Sequence, residues 1–319
     1  RYRVTLTVDD VLALTPAGGG PITDWFCDKI ESNIASGVYP NPKKMDEISE
    51  KIVQDLMDYK VKHDIEDIVV GMSGGVDSAL TAALFKQAGW IVHGVTLPIH
   101  QKPEETARGQ EAIDVLRLEP YSIDLSKQFD SMQELLGEYD STYRGLQRQG
   151  NLRARLRMMA LYNLAHKVGG CVASTDNFSE LAAGFWTLHG DVGDIAPIQS
   201  LSKSWEVPYM ATQLGVPLAT VQATPTDGLG ISNSDADQLG MSYLEFDTLL
   251  FDLISLPNLG ITAIQDYINT ITNEDVQNKA GLVLSRIAST SFKRNNPFNL
   301  AHPLFEDRFD TLTKLDRSL

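Results

Sequence analysis

The run Gly71-Met72-Ser73-Gly74-Gly75-Val76-Asp77-Ser78 has the residue types needed to hold a phosphate chain. Adjacent glycines let a backbone turn sharply and approach a ligand with no Cβ in the way. An apolar run, Ile68-Val69-Val70, precedes it, and an apolar-periodic stretch with Ala79, Leu80, Ala83 and Leu84 follows, so the order reads strand, turn, helix. The first amides of such a helix have no partner within it and lie at the positive end of its dipole, so they favour an anion above the turn. Ser73 and Ser78 add hydroxyl donors. Asp77 is the misfit, an acid inside an anion site, and it makes sense if a divalent cation bridges it to phosphate oxygens. No Gly-Lys-Ser/Thr follows, so this is not the Walker pattern. Without a ligand, the same letters would serve as a tight turn capped by Ser and Asp.

A sheet must position such a loop. Strands are expected at Asp67–Met72, Trp90–Leu97, Pro120–Ile123 and Gly170–Ser174, and helices at Asp77–Ala88, Glu104–Leu116, Lys127–Tyr139 and Asn151–Val168. Short apolar strands alternating with amphipathic helices predict an α/β fold, a doubly wound parallel sheet with helices on both faces. Ligands in such sheets bind beyond the carboxyl ends of the strands. Residues 71–78, the segment Leu97 to Glu105 and the stretch from Thr175 onward all fall there. Upstream, Asp46–Lys62 has helical spacing, Tyr2–Thr7 suits an edge strand, and the Pro- and Gly-rich segments near 16–21 and 39–42 are breaks. Residues 1–45 therefore read as an N-terminal extension and 46–319 as one domain. Past residue 190, prolines and glycines punctuate short elements. Expected helices at Ser234–Gln238, Tyr243–Ile254, Ile261–Ile271 and Glu274–Thr290 then form a helical C-terminal extension.

Composition narrows the function. The chain has 319 residues, with 27 Lys and Arg against 42 Asp and Glu, a net charge of −15. A diffuse acidic surface disfavours a nucleic-acid partner, whose affinity comes mainly from Lys and Arg contacts to phosphates, yet a nucleotide needs only a few local cations. No apolar run is long enough to span a membrane, and Arg1 to Asp10 lacks the apolar core of a signal peptide. Cys27 and Cys171 lie far apart and neither sits in a Cys-x-x-Cys, which points to a reduced, cytoplasmic setting without a zinc site. His100, His166 and His189 show no metal-ligand spacing.

Ser73-Gly74-Gly75-Val76-Asp77-Ser78 resembles the pyrophosphate loop of the ATP pyrophosphatases, which cleave ATP to AMP and pyrophosphate. A second series is more specific. Ala173-Ser174-Thr175-Asp176-Asn177-Phe178-Ser179-Glu180 is followed by Gly184-Phe185-Trp186-Thr187-Leu188-His189-Gly190-Asp191. Asn151, Arg153, Arg155 and Arg157 precede it, and Pro197, Lys203 and Pro225-Thr226-Asp227 come after. In this order the motifs are similar to those of the NAD synthetases, over about residues 50 to 297. The resemblance implies an adenine nucleotide alpha hydrolase-like fold and a two-step reaction. ATP adenylates the nicotinate carboxylate of deamido-NAD, releasing pyrophosphate; ammonia then displaces AMP to give the amide of NAD. It also implies roles by position. Gly71 to Ser78, Thr175, Lys203 and Thr226 would contact ATP, with Asp77 and Lys203 at the reacting centre. Asp77 and Glu180 would hold Mg²⁺, and Arg155, Asp194 and Lys293 would contact deamido-NAD.

Each of these residues has a plainer reading as well. Arg153, Arg155 and Arg157 could be solvated helix charges, Glu180 a helix-start acid, and Asp191 a turn residue. Asp235, Asp237, Glu245 and Asp247 read as a solvated acidic face, and Phe185 and Trp186 as packing. Four positions depart from the family pattern: Leu188, Thr96, Phe292 and a shortened 191–194 loop. Residues 1–66 precede the first core strand and offer no Cys-Glu-Lys arrangement, so free ammonia is the expected donor. The resemblance further implies a homodimer. Competing readings are a GMP-synthetase-like amidating enzyme, a tRNA-thiolating enzyme, or a nucleotide-binding protein without catalysis. Thiolation wants a sulfur-carrying cysteine and a basic surface, and a pure binder has no need of both Asp77 and Glu180.

Overall fold

The computed structural model describes residues 5–16, 22–137, 140–226, 234–300 and 308–319. Thr7, expected in an edge strand, instead caps helix α1 (Val8–Leu14). Its hydroxyl accepts the Asp10 N–H, and the Asp10 carboxylate accepts the Thr7 N–H in return. Residues 2–4 of that expected strand lie outside the described residues. Helices α2 (Asp24–Ala35) and α3 (Pro42–His63) follow, the latter starting earlier than its apolar spacing suggests because Asn41 caps it and Pro42 takes its first turn.

The alternating unit comes next: β1 (Asp67–Gly71), α4 (Val76–Gln87), β2 (Ile91–Thr96), α5 (Pro103–Val115), β3 (Glu119–Ser122), α6 (Ser126–Leu136), α7 (Tyr143–Val168) and β4 (Cys171–Val172). The four strands are all parallel, in the order β3-β2-β1-β4. Successive β1 residues face opposite cores, as strand geometry requires. Ile68 and Val70 pack on α4 and on Ala112 and Ile113 of α5, while Val69 packs on Leu164 and Ala165 of α7. This is the expected α/β sheet covered on both faces. The strand order reverses beside β1, so a crevice opens beyond its carboxyl end.

The rest is helical: α8 (Phe178–Ala183), α9 (Glu206–Gln213), α10 (Leu218–Val221), α11 (Asp235–Leu239), α12 (Tyr243–Ile254), α13 (Ile261–Asn269), α14 (Glu274–Ser289), α15 (Ser291–Arg294) and α16 (Arg308–Ser318). A second apolar core joins α12, α13 and α14 to Ala182 and Ala183 of α8 and to Phe26 of α2. Val11, Ile30 and Tyr39 enter the main core, so residues ahead of position 46 help build both cores. The sequence does not mark α8 to α10 because they are short and bounded by buried polar turns.

Candidate active site

The loop between β1 and α4 is built as its glycines allow. Gly74 has φ +86°, and a Cβ there would stand 2.2 Å from the carbonyl oxygen of Glu105 on α5. Gly75, at φ −90°, is the N-cap of α4, and no side chain caps that helix. Its first amides are thus left facing the crevice, the arrangement that binds phosphate. Ser73 and Ser78 brace the turn, their hydroxyls 3.2 Å apart, while Gly75 N–H donates to Ser73 Oγ at 3.3 Å. Arg108 of α5 donates from Nε to the Gly74 carbonyl at 3.3 Å.

A second arm enters from beyond β4. Asn177 caps α8, its Oδ1 accepting the Glu180 N–H at 2.9 Å. Its amide nitrogen then donates both to Glu180 Oε1 at 2.7 Å and to Asp77 Oδ1 at 3.0 Å. One fully buried amide therefore holds two carboxylates that are about a hundred positions apart in sequence.

The third arm is the turn Leu201 to Trp205. Lys203 is 4% exposed and donates from Nζ to Asp77 Oδ2. The backbone on either side of Lys203 ends on buried acids. Ser202 N–H donates to Glu206 at 2.9 Å and Ser204 N–H to Asp247 at 2.9 Å, with Ser204 Oγ on the same Asp247 oxygen at 2.6 Å. Lys203's own N–H donates to Ser179 Oγ at 3.0 Å. Next in line, Trp205 has φ +61°, a conformation that costs a bulky residue roughly 1–3 kcal/mol. It is held there by Thr15 Oγ1, which accepts its N–H at 3.3 Å, and by the Pro40 carbonyl, which accepts from Nε1 at 2.7 Å.

These charges shift one another. Burial, reinforced by Asp77, pushes the Glu180 carboxyl well above its ordinary range. Burial opposes the Lys203 ammonium, but Asp77 and Glu180 outweigh it and hold the lysine above its ordinary value. Burial also raises Glu206 to about 7 and Asp247 to about 6. Two acids closed around one cation beside a phosphate-binding helix start have the hard oxygen ligands that a divalent ion takes. Asp77 and Glu180 are the residues that could hold it. Among the described residues no three His, Cys, Asp or Glu gather into a metal cage.

A cavity of about 300 Å³ unites most of the sequence-derived candidates. Gly71 to Ser78, Thr175, Glu180, Lys203, Thr226 and Lys293 all line it. Lys293 donates to the Gly184 carbonyl at 2.7 Å and to that of Trp186. Burial pulls its ammonium below the ordinary value, opposed by Asp191. Two candidates lie elsewhere. Arg155 is exposed and donates from Nε and Nη2 to the Leu188 carbonyl at 3.3 and 3.2 Å. Asp194 is occupied by the Val172 N–H at 2.9 Å and the Tyr162 hydroxyl at 3.0 Å.

Sequence reasoning passed over several residues that matter here. Arg157, paired with Arg153 as a helix charge, lines the cavity and donates to the Leu97 carbonyl at 2.9 Å and to Gln101 Oε1 at 2.8 Å. Asn177 had a readable signal, a capping Asn three residues before Glu180. The acidic face is corrected at three of its four members: Asp235, Glu245 and Asp247 are 5%, 6% and 0% exposed, while Asp237 is exposed as expected. They turn inward because α12 is buried along most of its length and donors await them: Ser204 for Asp247, Ser242 and Lys279 for Glu245, and the Tyr243 hydroxyl for Asp235 of α11.

Comparison with known proteins identifies the family. The NAD synthase family profile matches residues 48–297. An NH(3)-dependent NAD(+) synthetase of Alkaliphilus oremlandii is 35% identical over 206 residues, covering 62% of this chain and 82% of that protein. Among solved structures, the NMN synthetase of Francisella tularensis superposes with TM-score 0.66 at 26% identity, covering 81% of this chain and 98% of that one. The NH3-dependent NAD synthetase of Campylobacter jejuni does so with TM-score 0.63 at 25% identity, covering 80% and 99%. With most of its length matched by the family profile and its phosphate loop, acid pair and buried lysine drawn to one crevice, the chain belongs to the NAD synthase family.

Proposed function

We propose that this chain is an ammonia-dependent ligase that converts deamido-NAD to NAD at the expense of ATP. The observation that carries the reading is the closure of Asp77, Glu180 and Lys203 on one another at the uncapped N-terminus of α4. A carboxylate is a poor electrophile until one of its oxygens belongs to a good leaving group. In the first step a nicotinate carboxylate oxygen attacks the α-phosphorus of ATP, and the bond to the β,γ-pyrophosphate breaks. In the second, ammonia attacks the carbonyl carbon, AMP leaves with the bonding pair, and a proton is lost. Both substrates of the first step are anions, so the protein's work is positioning and charge stabilisation. The amides after Gly75 and the hydroxyls of Ser73 and Ser78 would hold the departing pyrophosphate. Lys203 is the buried cation beside it, and Thr175 and Thr226 line the walls of the same cavity. Asp77 and Glu180 would hold a magnesium ion, which when bound supplies positive charge to offset that building on the leaving group. That the acid pair fits such an ion is supported by the raised Glu180, which a divalent cation would relieve.

Arg155, Asp194 and Lys293 remain our proposed deamido-NAD contacts. Only Lys293 of these borders the cavity. Arg155, Met159 and Tyr162 project from one face of α7, the latter two 62% and 36% exposed. A second copy covering this face would bury the apolar pair and give Arg155 a substrate to reach, which supports a homodimer. Sedimentation showing a stable, fully active monomer would sink that part. We place the reaction in the cytoplasm, where Cys27 and Cys171 stay thiols. No helix among the described residues is long and apolar enough to cross a membrane.

The test is an assay of pyrophosphate release with ATP, Mg²⁺ and ammonium. Release only with deamido-NAD is the expected result, and release with xanthylate instead overturns the reading. Asp77→Asn should abolish turnover with the fold retained. The likeness to an NMN synthetase supports one second reading, in which nicotinate mononucleotide is the acceptor, so that compound belongs in the same assay.

A further inference from the structure

We propose that Asp247 is a positioning residue for the adenylation step: its buried carboxylate ties the turn that carries Lys203 to α12 and so fixes where the lysine ammonium stands against Asp77. The inference rests on the ligase reading above. Asp247 touches neither the cavity nor Lys203 Nζ, and it sits on α12, an element remote in sequence from both arms.

Three observations carry it. First, one Asp247 oxygen accepts both the N–H and the hydroxyl of Ser204, the residue after Lys203. An ionised carboxylate can accept both, whereas an amide or a protonated acid brings a donor into the same small space. Second, Ser179, the residue before Glu180, accepts the Lys203 N–H on its Oγ at 3.0 Å, so the turn that Asp247 holds from one side is joined on the other to the helix that carries Glu180. Third, the turn is strained where it is held, with Trp205 at φ +61°. Strain of this kind persists only when its surroundings over-determine it. Glu206 grips Ser202 on the other side, so Lys203 is bracketed by two buried acids. Groups facing Asp247 besides these serines are Lys203, Glu206 and Tyr39, each felt through space. A fully buried carboxylate with no ion-pair partner in contact is costly to keep, and positioning the catalytic lysine is what it does here.

The experiment is a double-mutant cycle on the full chain, Asp247→Asn with Lys203→Ala, read by pyrophosphate release in the presence of deamido-NAD. Asp247→Asn alone should lower kcat on the order of 10²-fold, the loss expected for a misplacement near 1 Å, with KM for ATP within about threefold. In the Lys203→Ala background the same substitution should cost little more, because the lysine through which it acts is gone. An undiminished kcat for Asp247→Asn, or a full further loss in the Lys203→Ala background, overturns the proposal. Should Asp247→Asn fail to fold, Ser204→Ala takes its place in the cycle, removing one of the two hydrogen bonds while leaving the carboxylate with the other. A wild-type chain that releases no pyrophosphate overturns the ligase reading and this inference together. A wild type that turns over beside an unaffected variant overturns this inference alone.

Discussion

Gly74→Ala tests whether the phosphate loop is fixed from behind by α5. The native φ of +86° already disfavours any side chain there, at about 1–2 kcal/mol. The new Cβ would also stand 2.2 Å from the Glu105 carbonyl oxygen, with Arg108 Cβ at 3.4 Å. A carbon and an oxygen settle at about 3.3 Å, so loop and helix must part by about 1 Å. Neither side yields cheaply, because the Glu105 oxygen is backbone and the loop is tied to β2 through Met72 N–H on the Val95 carbonyl at 2.7 Å. Together these terms predict a loss of about 2–4 kcal/mol of stability. The displaced amides should also cost on the order of 10²-fold in kcat. Gly75→Ala is the internal control. Gly75 has φ −90°, and its added Cβ would meet only Ser73 Oγ, at 3.5 Å, so its stability should change by less than about 0.5 kcal/mol. Urea unfolding of both variants, beside pyrophosphate release, decides the matter. Equal stability of the two alanine variants would falsify the claim that α5 sets the loop.

Lys203→Met removes the cation between Asp77 and Glu180 at nearly constant volume. It should lower stability by about 3–5 kcal/mol, since two acids lose their partner, and kcat by about 10²–10³-fold. Magnesium without nucleotide should then raise the thermal midpoint of this variant more than that of wild type, and equal shifts would count against the acid pair as an ion site. Glu206 gives a pH signature. Its carboxyl is raised to about 7 in the folded chain from an ordinary 4.5, chiefly by burial. The unfolded chain therefore releases this proton first, and stability falls as pH rises from about 4.5 to about 7, by about 3 kcal/mol in all. In Glu206→Gln, urea midpoints measured from pH 5 to 8 should lose that slope, and an unchanged slope would refute the assignment.

How much of this was legible in the sequence depended on the range of the interaction that fixes each piece. β1, α4, β2 and α5 fall within a residue or two of their expected bounds, because apolar periodicity and the flanking turn residues are local signals. β4 shrinks to Cys171–Val172 because its partner beyond β1 is a single bridge, Ala173 to Ile195. Helix α7 begins at Tyr143 rather than near Asn151, since Thr142 caps it with Oγ1 on the Gly145 N–H at 3.1 Å; a polar first half had hidden the start. Helices α1 and α2 stayed hidden for another reason. They are held by Thr15, Phe26, Ile30 and Pro40 meeting residues some two hundred positions away, and no local pattern encodes those contacts.

The active centre follows the same logic. The phosphate loop is continuous in sequence, and its chemistry could be read from six letters. Asp77 and Glu180 could be paired only through a family's motif order, because the agent that joins them is the amide of Asn177. Still harder to read were Asp247, whose carboxylate looked like surface charge, and Glu206, which no motif singled out; both hold a turn from within. An acid on an apolar helix is ambiguous until its donors are known. Here the donors are backbone N–H groups of a turn with no regular structure of its own, which must be satisfied once buried. Ser202-Lys203-Ser204 is that turn. Two small hydroxyl residues flanking a lysine supply the donors that draw buried acids to either side, and so let one cation sit 4% exposed beside Asp77.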